Sequence, residues 1–138
     1  MIIKIAEDKK EVLKPADIYQ ILSDYLKSED KVDRDKEHFW VFHLDCRNKI
    51  KLLELVSLGT LNSSLVHPRE VFTRAVGQRS TQIIIAHNHP SGVAEPSEDD
   101  ISLTKRLMRA GNLLGIELID HIIVTTGSFI SLKEKSLI

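Results

Sequence analysis

The chain has 138 residues with 19 basic and 20 acidic side chains, which leaves a formal net charge of −1. This near balance excludes the overall positive field that is typical of nucleic-acid-binding domains. The length predicts one domain with a substantial core, and the longest apolar runs are far too short to span a bilayer. The N-terminus lacks a signal-peptide pattern, and the single cysteine suits the reducing cytoplasm. Cys46 is expected to fill a strand position among apolar neighbours.

The first half of the chain predicts one helix followed by a hairpin. The helix is expected to begin around Lys14, because the proline that follows is tolerated in a first helical turn. Its apolar side chains recur at helical spacing, at Ile18, Ile21, Leu22, Tyr25 and Leu26. The polar residues 28–36 are expected to form a connection. Residues 38–44 and 50–58 predict two strands, and residues 59–64 a loop.

The second half predicts two helices and further strands. Residues 68–77 begin with proline and end with glycine, which is typical of a short helix. Residues 81–86 predict a buried strand, and residues 97–114 a long amphipathic helix that ends at Gly115. The last strands are expected at residues 116–118, 121–125 and 129–132. Helices alternate with mostly antiparallel strands, which predicts an α+β domain with helices packed against a curved sheet.

The most informative motif begins where the buried strand ends. If that strand continues to His89, the side chains of His87 and His89 point to the same face, because strand side chains alternate. Pro90 and the Ser-Gly pair after it force a turn, which can bring Asp100 back towards both rings. Two histidines and one carboxylate are the protein ligands of an open, catalytic zinc site. The pattern therefore indicates a catalytic metal centre.

These residues resemble a known family. His87-x-His89-Pro90, followed by Ser97-x-x-Asp100, is similar to the signature of JAMM metalloproteases. The longer pattern His-Asn-His-Pro-Ser-Gly, with Pro96-Ser97-x-x-Asp100, more closely resembles the bacterial RadC branch of that family. Supporting stretches are residues 59–64, 67–70 and 120–124. The similarity runs from about residue 37 to residue 132.

The resemblance implies a single domain over residues 1–138, an α/β/α sandwich of the cytidine-deaminase-like JAB/MPN fold. It also implies a zinc ion held by His87, His89 and Asp100, with Glu37 holding the zinc-bound water. RadC proteins commonly carry an N-terminal helix-hairpin-helix module. The first 14 residues here do not supply one, so DNA binding through that module is not expected.

The chemistry expected of such a site is hydrolysis. Zinc lowers the pKa of its bound water to roughly 7, and Glu37 accepts the proton and later delivers it to the leaving amine. Ser97 is expected to donate a hydrogen bond to the developing oxyanion. The substrate implied is a peptide or an isopeptide-linked protein.

Each assignment has a simpler alternative. Ser97 and Asp100 also form the pattern of a helix capping box, and a cap can orient a ligand as well. Glu37 can equally be a solvated residue in a charged run, and Glu70, at the start of the next helix, is its rival as the acid/base. His121 can orient a metal ligand through a hydrogen bond, or it can lie in a turn between two strands.

The sequence is therefore compatible with three functions. The first is a cytoplasmic zinc metallopeptidase or isopeptidase. The second is a DNA-repair or mobile-element accessory protein that binds DNA or partners through the domain, which the net charge of −1 does not favour. The third is a non-haem iron oxygenase, because two histidines and a carboxylate also form its facial triad.

Overall fold

A six-stranded sheet organises the computed structural model, which describes residues 1–12, 14–59 and 66–138. The strands in chain order are β1 (Ile2–Ile3), β2 (Glu37–Leu44), β3 (Ile50–Gly59), β4 (Gln82–Asn88), β5 (Glu117–Val124) and β6 (Phe129–Ser131). Across the sheet they follow the order β1-β3-β2-β4-β5-β6. The β4–β5 pair is parallel, and the other neighbours pair antiparallel. The predicted mostly antiparallel sheet is therefore confirmed.

Helices lie on both faces of this sheet. They are α1 (Pro15–Ser28), α2 (Lys31–Arg34), α3 (Pro68–Gly77) and α4 (Glu98–Leu114). Trp40 and Phe42 of β2 join the apolar cluster that contains α1, whereas Phe39 and Val41 join the cluster that contains α3 and α4. Successive side chains of a strand point to opposite faces of the sheet, so β2 contributes to the apolar cores on both faces. The three-layered α+β fold is confirmed.

Three short elements were not expected from the sequence: a 3-10 helix at Glu7–Lys9, the helix α2 and the strand β1. The predicted connection at residues 28–36 contains the single-turn helix α2, because the Asp30 side chain accepts a hydrogen bond from the Asp33 N–H and caps it. The strand β1 has two residues, which is too short for a periodic pattern. It forms because Ile2 and Ile3 pair with Glu54 and Leu53 of β3.

The expectation of two strands at residues 116–118 and 121–125 is wrong, because one continuous strand, β5, spans this region. The polar residues Asp120 and His121 therefore do not form a turn. The buried Asp120 carboxylate accepts hydrogen bonds from the Ser131 hydroxyl, the Lys133 N–H and the His121 N–H. Ser131 and Lys133 thus supply hydrogen-bond donors to this carboxylate inside the sheet. A buried charge without such partners would be costly.

Cys46 is also placed differently from the expectation. It is exposed in the connection between β2 and β3, not packed among apolar strand residues. Of the loop expected at residues 59–64, Gly59 ends β3, and residues 60–64 lie outside the described residues. Within the described ranges, every helix is too short or too polar to cross a bilayer.

The position of α4 depends on a close approach at Gly111. A Cβ atom there would meet the backbone oxygen of Ile116 and the ring of Phe72 in α3. The residue is buried, and the N–H of Ile116 donates to its carbonyl oxygen at 2.8 Å. Glycine therefore lets α4 pack tightly beside α3 and the entry to β5.

Candidate metal centre

Two histidine rings meet at the carboxyl end of β4. The strand was predicted at residues 81–86 and extends to Asn88, and the His89 N–H continues the ladder by donating to the Val124 carbonyl at 2.9 Å. The Nε2 atoms of His87 and His89 lie 2.8 Å apart. Gly92, with a φ of 89°, closes the predicted turn by donating to the His89 carbonyl at 3.1 Å.

Asp100 completes the cluster from the first turn of α4. Its Oδ1 lies 3.5 Å from Nε2 of His87, and its Oδ2 lies 3.5 Å from Nε2 of His89. Ser97 is the N-cap of this helix: its hydroxyl accepts from the Asp100 N–H at 3.0 Å, and its own N–H donates to Asp100 Oδ2 at 2.9 Å. The capping box therefore points the carboxylate at the two rings.

The spacing of these atoms fits a metal ion. Two ligands on a tetrahedral zinc ion, each about 2.0–2.1 Å from the metal, lie roughly 3.3 Å apart. The three distances here, 2.8, 3.5 and 3.5 Å, surround that value. His87, His89 and Asp100 are thus a group that could hold a metal ion, and their geometry leaves its identity open.

The electrostatics of the group also favour a cation. Burial lowers the pKa of His87 to about 4, against the opposing charge of Asp100, so its ring is neutral at pH 7. Burial acts to raise the pKa of Asp100, but the hydrogen bond with His89 and the nearby His87 hold it well below its usual range. The hydrogen bond with Asp100 raises the pKa of His89. A neutral ring, an ionised carboxylate and a second ring that attracts a proton suit a bound cation.

A further pair of buried residues lies behind His87. Its Nδ1 is 2.7 Å from Nε2 of His121, and Nδ1 of His121 is 2.6 Å from Oγ1 of Thr104. The Thr104 hydroxyl donates to the Asp100 carbonyl at 2.6 Å. Burial holds the pKa of His121 well below its usual range. His121 therefore lies directly behind His87 and not in a turn, and Thr104, one turn after Asp100, is a contact that the sequence did not predict.

Glu37 lies beside this group. It is the first residue of β2, where Phe39 pairs with His87, so Glu37 falls next to His89 on the same face of the sheet. Glu37 and His89 line one open cavity of about 660 Å³. Glu70 lines a different cavity, together with Glu54 and Arg74. The structure thus places Glu37 near His89, one of the three candidate ligands, and Glu70 in a different cavity. The catalytic roles of Glu37 and Ser97 stay predictions.

A mostly antiparallel sheet between helices, with this His-x-His and Asp arrangement at the end of a central strand, is the architecture of a JAB-type domain. Residues 12–137 match the family model of the RadC-like JAB domain, and the chain belongs to this family. The predicted relationship is therefore confirmed.

Relatives from bacteria and archaea support the same assignment. A UPF0758 protein of Caldanaerobacter subterraneus subsp. tengcongensis is 47% identical over 124 residues, which cover 90% of this chain and 51% of the relative. A UPF0758 protein of Desulforamulus reducens is 50% identical over 113 residues, covering 82% and 50%. A UPF0758 protein of Methanosarcina mazei is 40% identical over 134 residues, covering 97% and 56%. The chain thus spans about half the length of these curated relatives.

Proposed function

We propose that this chain is a zinc-dependent hydrolase that cleaves a peptide or isopeptide bond. The observation that carries the proposal is the convergence of His87, His89 and Asp100, because one of them, His89, also lines the cavity that Glu37 lines. Three protein ligands beside an accessible cavity are typical of a catalytic zinc site, which keeps one position for water or substrate. Structural zinc sites have four protein ligands instead.

Zinc, Glu37 and Ser97 have different roles in the proposed hydrolysis. When bound, zinc supplies a Lewis acid and a water whose pKa falls to roughly 7. Glu37 is the general base that takes the proton of the attacking water, and it then acts as the acid that protonates the leaving nitrogen. The Ser97 hydroxyl, whose oxygen accepts from the Asp100 N–H, keeps its own proton to donate to the oxyanion.

The Glu37 carboxylate, which lines the same cavity as His89, favours zinc over iron as the bound metal. Two histidines and one carboxylate also form the facial triad of non-haem iron oxygenases, so the ligand set alone does not choose the metal. An acid/base glutamate next to the cluster is what hydrolysis requires. Membership of the JAB domain family supports the same choice.

The cavity favours an extended polymer as substrate. It is open, and residues from three segments line it: Asp35, Lys36 and Glu37, then Gly59, then His89, Pro90 and Ser91. A protein chain is the partner proposed, in the reducing cytoplasm that the single cysteine suggests. The net charge of −1 gives no support to tight DNA binding through this domain.

A substrate screen tests this proposal. The zinc-loaded protein is incubated with a peptide library and with lysine-linked isopeptide substrates, beside the same protein after chelation. We expect cleavage of at least one class by the zinc-loaded protein and none after chelation. Fluorescence anisotropy with single-stranded and duplex DNA at low salt runs in parallel. Tight, salt-sensitive DNA binding without any cleavage would favour the accessory-protein function instead.

A further inference from the structure

We propose that Thr104 and His121 are positioning residues that fix which nitrogen of His87 carries the proton. The relay from Thr104 through His121 to His87 leaves the Nε2 lone pair of His87 facing the metal position. This inference rests on the proposed function only in assigning a metal to the site. All three side chains are buried, with exposed fractions of 0%, 0% and 1%.

The Thr104 hydroxyl has a single proton and two hydrogen-bond partners. That hydroxyl donates to the Asp100 carbonyl one helical turn earlier, at 2.6 Å. Because a hydroxyl has one O–H, Oγ1 of Thr104 must accept in its second contact, the one with Nδ1 of His121 at 2.6 Å. His121 therefore carries its proton on Nδ1.

A neutral imidazole has one donor and one acceptor nitrogen. With Nδ1 of His121 protonated, its Nε2 is an acceptor. It lies 2.7 Å from Nδ1 of His87, so that nitrogen must be the donor. The Nε2 atom of His87 is then a bare lone pair, directed at His89 and Asp100.

The second ring is fixed in a simpler way. Nδ1 of His89 lies 2.8 Å from the Val93 carbonyl oxygen, which can only accept. Neutral His89 therefore also presents a bare Nε2 atom. In each ring, the hydrogen bond made by Nδ1 leaves Nε2 free to bind a metal. The partner of Nδ1 is the Val93 carbonyl for His89 and the His121 ring for His87.

The opposite polarity of the relay would disable the site. If Thr104 donated to His121, then His121 would donate from Nε2 to His87, and the His87 proton would sit on Nε2, where a metal must bind. The bond from Thr104 to the Asp100 carbonyl excludes this arrangement. The same helix thus supplies the carboxylate ligand and the hydroxyl that sets the tautomer.

Imidazole nitrogen NMR on the metal-free protein tests the tautomers directly. At about pH 8, we expect His87 and His121 each to carry a single proton, on Nδ1. Thr104→Ser keeps the hydroxyl and should preserve this pattern, whereas Thr104→Val should release His121 and His87 from it. A proton on Nε2 of His87 in the unmodified chain would overturn the proposal. This measurement needs no zinc, so it stands apart from the proposed function.

Zinc affinity supplies the second readout. Loss of a partner behind a metal ligand typically weakens binding about 10–100-fold, so we expect at least a tenfold rise in the zinc Kd for Thr104→Val and for His121→Leu. His121→Gln, whose amide oxygen can still accept from His87, should lose less than His121→Leu. The matched control is His43→Leu, because His43 is also fully buried in the sheet but contacts Glu54 instead of the relay. Unchanged affinity in Thr104→Val, or an equal loss in His43→Leu, would overturn the proposal.

Discussion

The N–H of Ser97 donates to the Asp100 carboxylate at 2.9 Å, and the N–H of Asp100 donates back to the Ser97 hydroxyl at 3.0 Å. The same carboxylate lies 3.5 Å from Nε2 of His87 and of His89. Helix capping and orientation of the candidate ligand are therefore one arrangement. Removing either partner should affect both helix stability and metal affinity.

Replacing the cap residue tests that coupling. Ser97→Ala should lower the free energy of unfolding by about 1 kcal/mol, because the first turn of α4 loses a hydrogen-bond acceptor. It should also weaken zinc binding, since Asp100 is no longer held towards the rings. Urea denaturation of the metal-free protein and zinc titration measure the two effects. Ser97→Thr, which keeps the hydroxyl, is the control and should behave like the unmodified chain.

The variant Asp100→Asn distinguishes the role of Asp100 as a metal ligand from its role in capping α4. The amide oxygen still accepts from the Ser97 N–H, so the urea midpoint should stay close to that of the unmodified chain. Zinc affinity should fall by more than the roughly 10–100-fold that loss of an outer partner costs, because the charge is gone. Zinc binding that survives this change intact would remove Asp100 from the ligand set.

The acid/base assignment is tested by Glu37→Gln with Glu70→Gln as its control. General acid–base catalysis contributes about 10²–10⁴-fold, so Glu37→Gln should lose that factor in the rate constant for hydrolysis while still binding zinc. Glu70→Gln should keep full activity, because Glu70 lines a different cavity. The reverse result would transfer the role to Glu70.

Acid should destabilise the metal-free protein partly through His43. Burial lowers the pKa of this ring, although Glu54 opposes the shift. The folded state therefore keeps His43 neutral, while the unfolded chain takes up a proton as the pH falls through about 6.5. The unfolded state then binds more protons, so stability is lost towards lower pH. Urea denaturation at pH values from 8 to 5 should show a shallower decline for His43→Leu; an equal or steeper decline would refute this assignment.

The close packing of α4 at Gly111 predicts that an alanine at this position destabilises the fold. Gly111→Ala should cost about 1–3 kcal/mol, because its Cβ meets the Ile116 carbonyl and the Phe72 ring. This cost exceeds the gain in helix propensity of about 1 kcal/mol. Gly77→Ala, at the end of α3, meets no atom within 4 Å and should be neutral or stabilising. Thermal melts of both variants decide whether the contact at residue 111 sets the position of α4.

The sequence predicts those helices and strands whose boundaries are marked by residues within the element itself. Helix α3 spans Pro68–Gly77 as expected, because proline at its start and glycine at its end mark both boundaries. The ligand group was predictable for the same reason, since His87 and His89 share one strand face and a turn leads into the helix that carries Asp100. The family relationship, carried by the same motif, fixed the fold class.

What the sequence did not reveal depends on contacts between distant segments. The polar residues Asp120 and His121 interrupt the apolar pattern of β5, so the sequence predicts two strands there. Their partners Ser131 and Thr104 are separated from them by 11 and 17 residues. Thr104 was missed because a threonine in a helix carries no local sign that its hydroxyl meets a buried ring. Such partners become visible when the sheet and α4 are assembled.

Zinc content per chain tests the central claim most directly. We would purify the protein without a polyhistidine tag and measure bound metal by inductively coupled plasma mass spectrometry, beside His87→Ala and with His43→Leu as the control for a lost buried ring. The account predicts about one zinc ion per chain, as for a three-ligand catalytic site. That zinc should be absent from His87→Ala and retained in His43→Leu. An unmodified chain that stays free of zinc after reconstitution near neutral pH, or zinc that persists in His87→Ala, would contradict it.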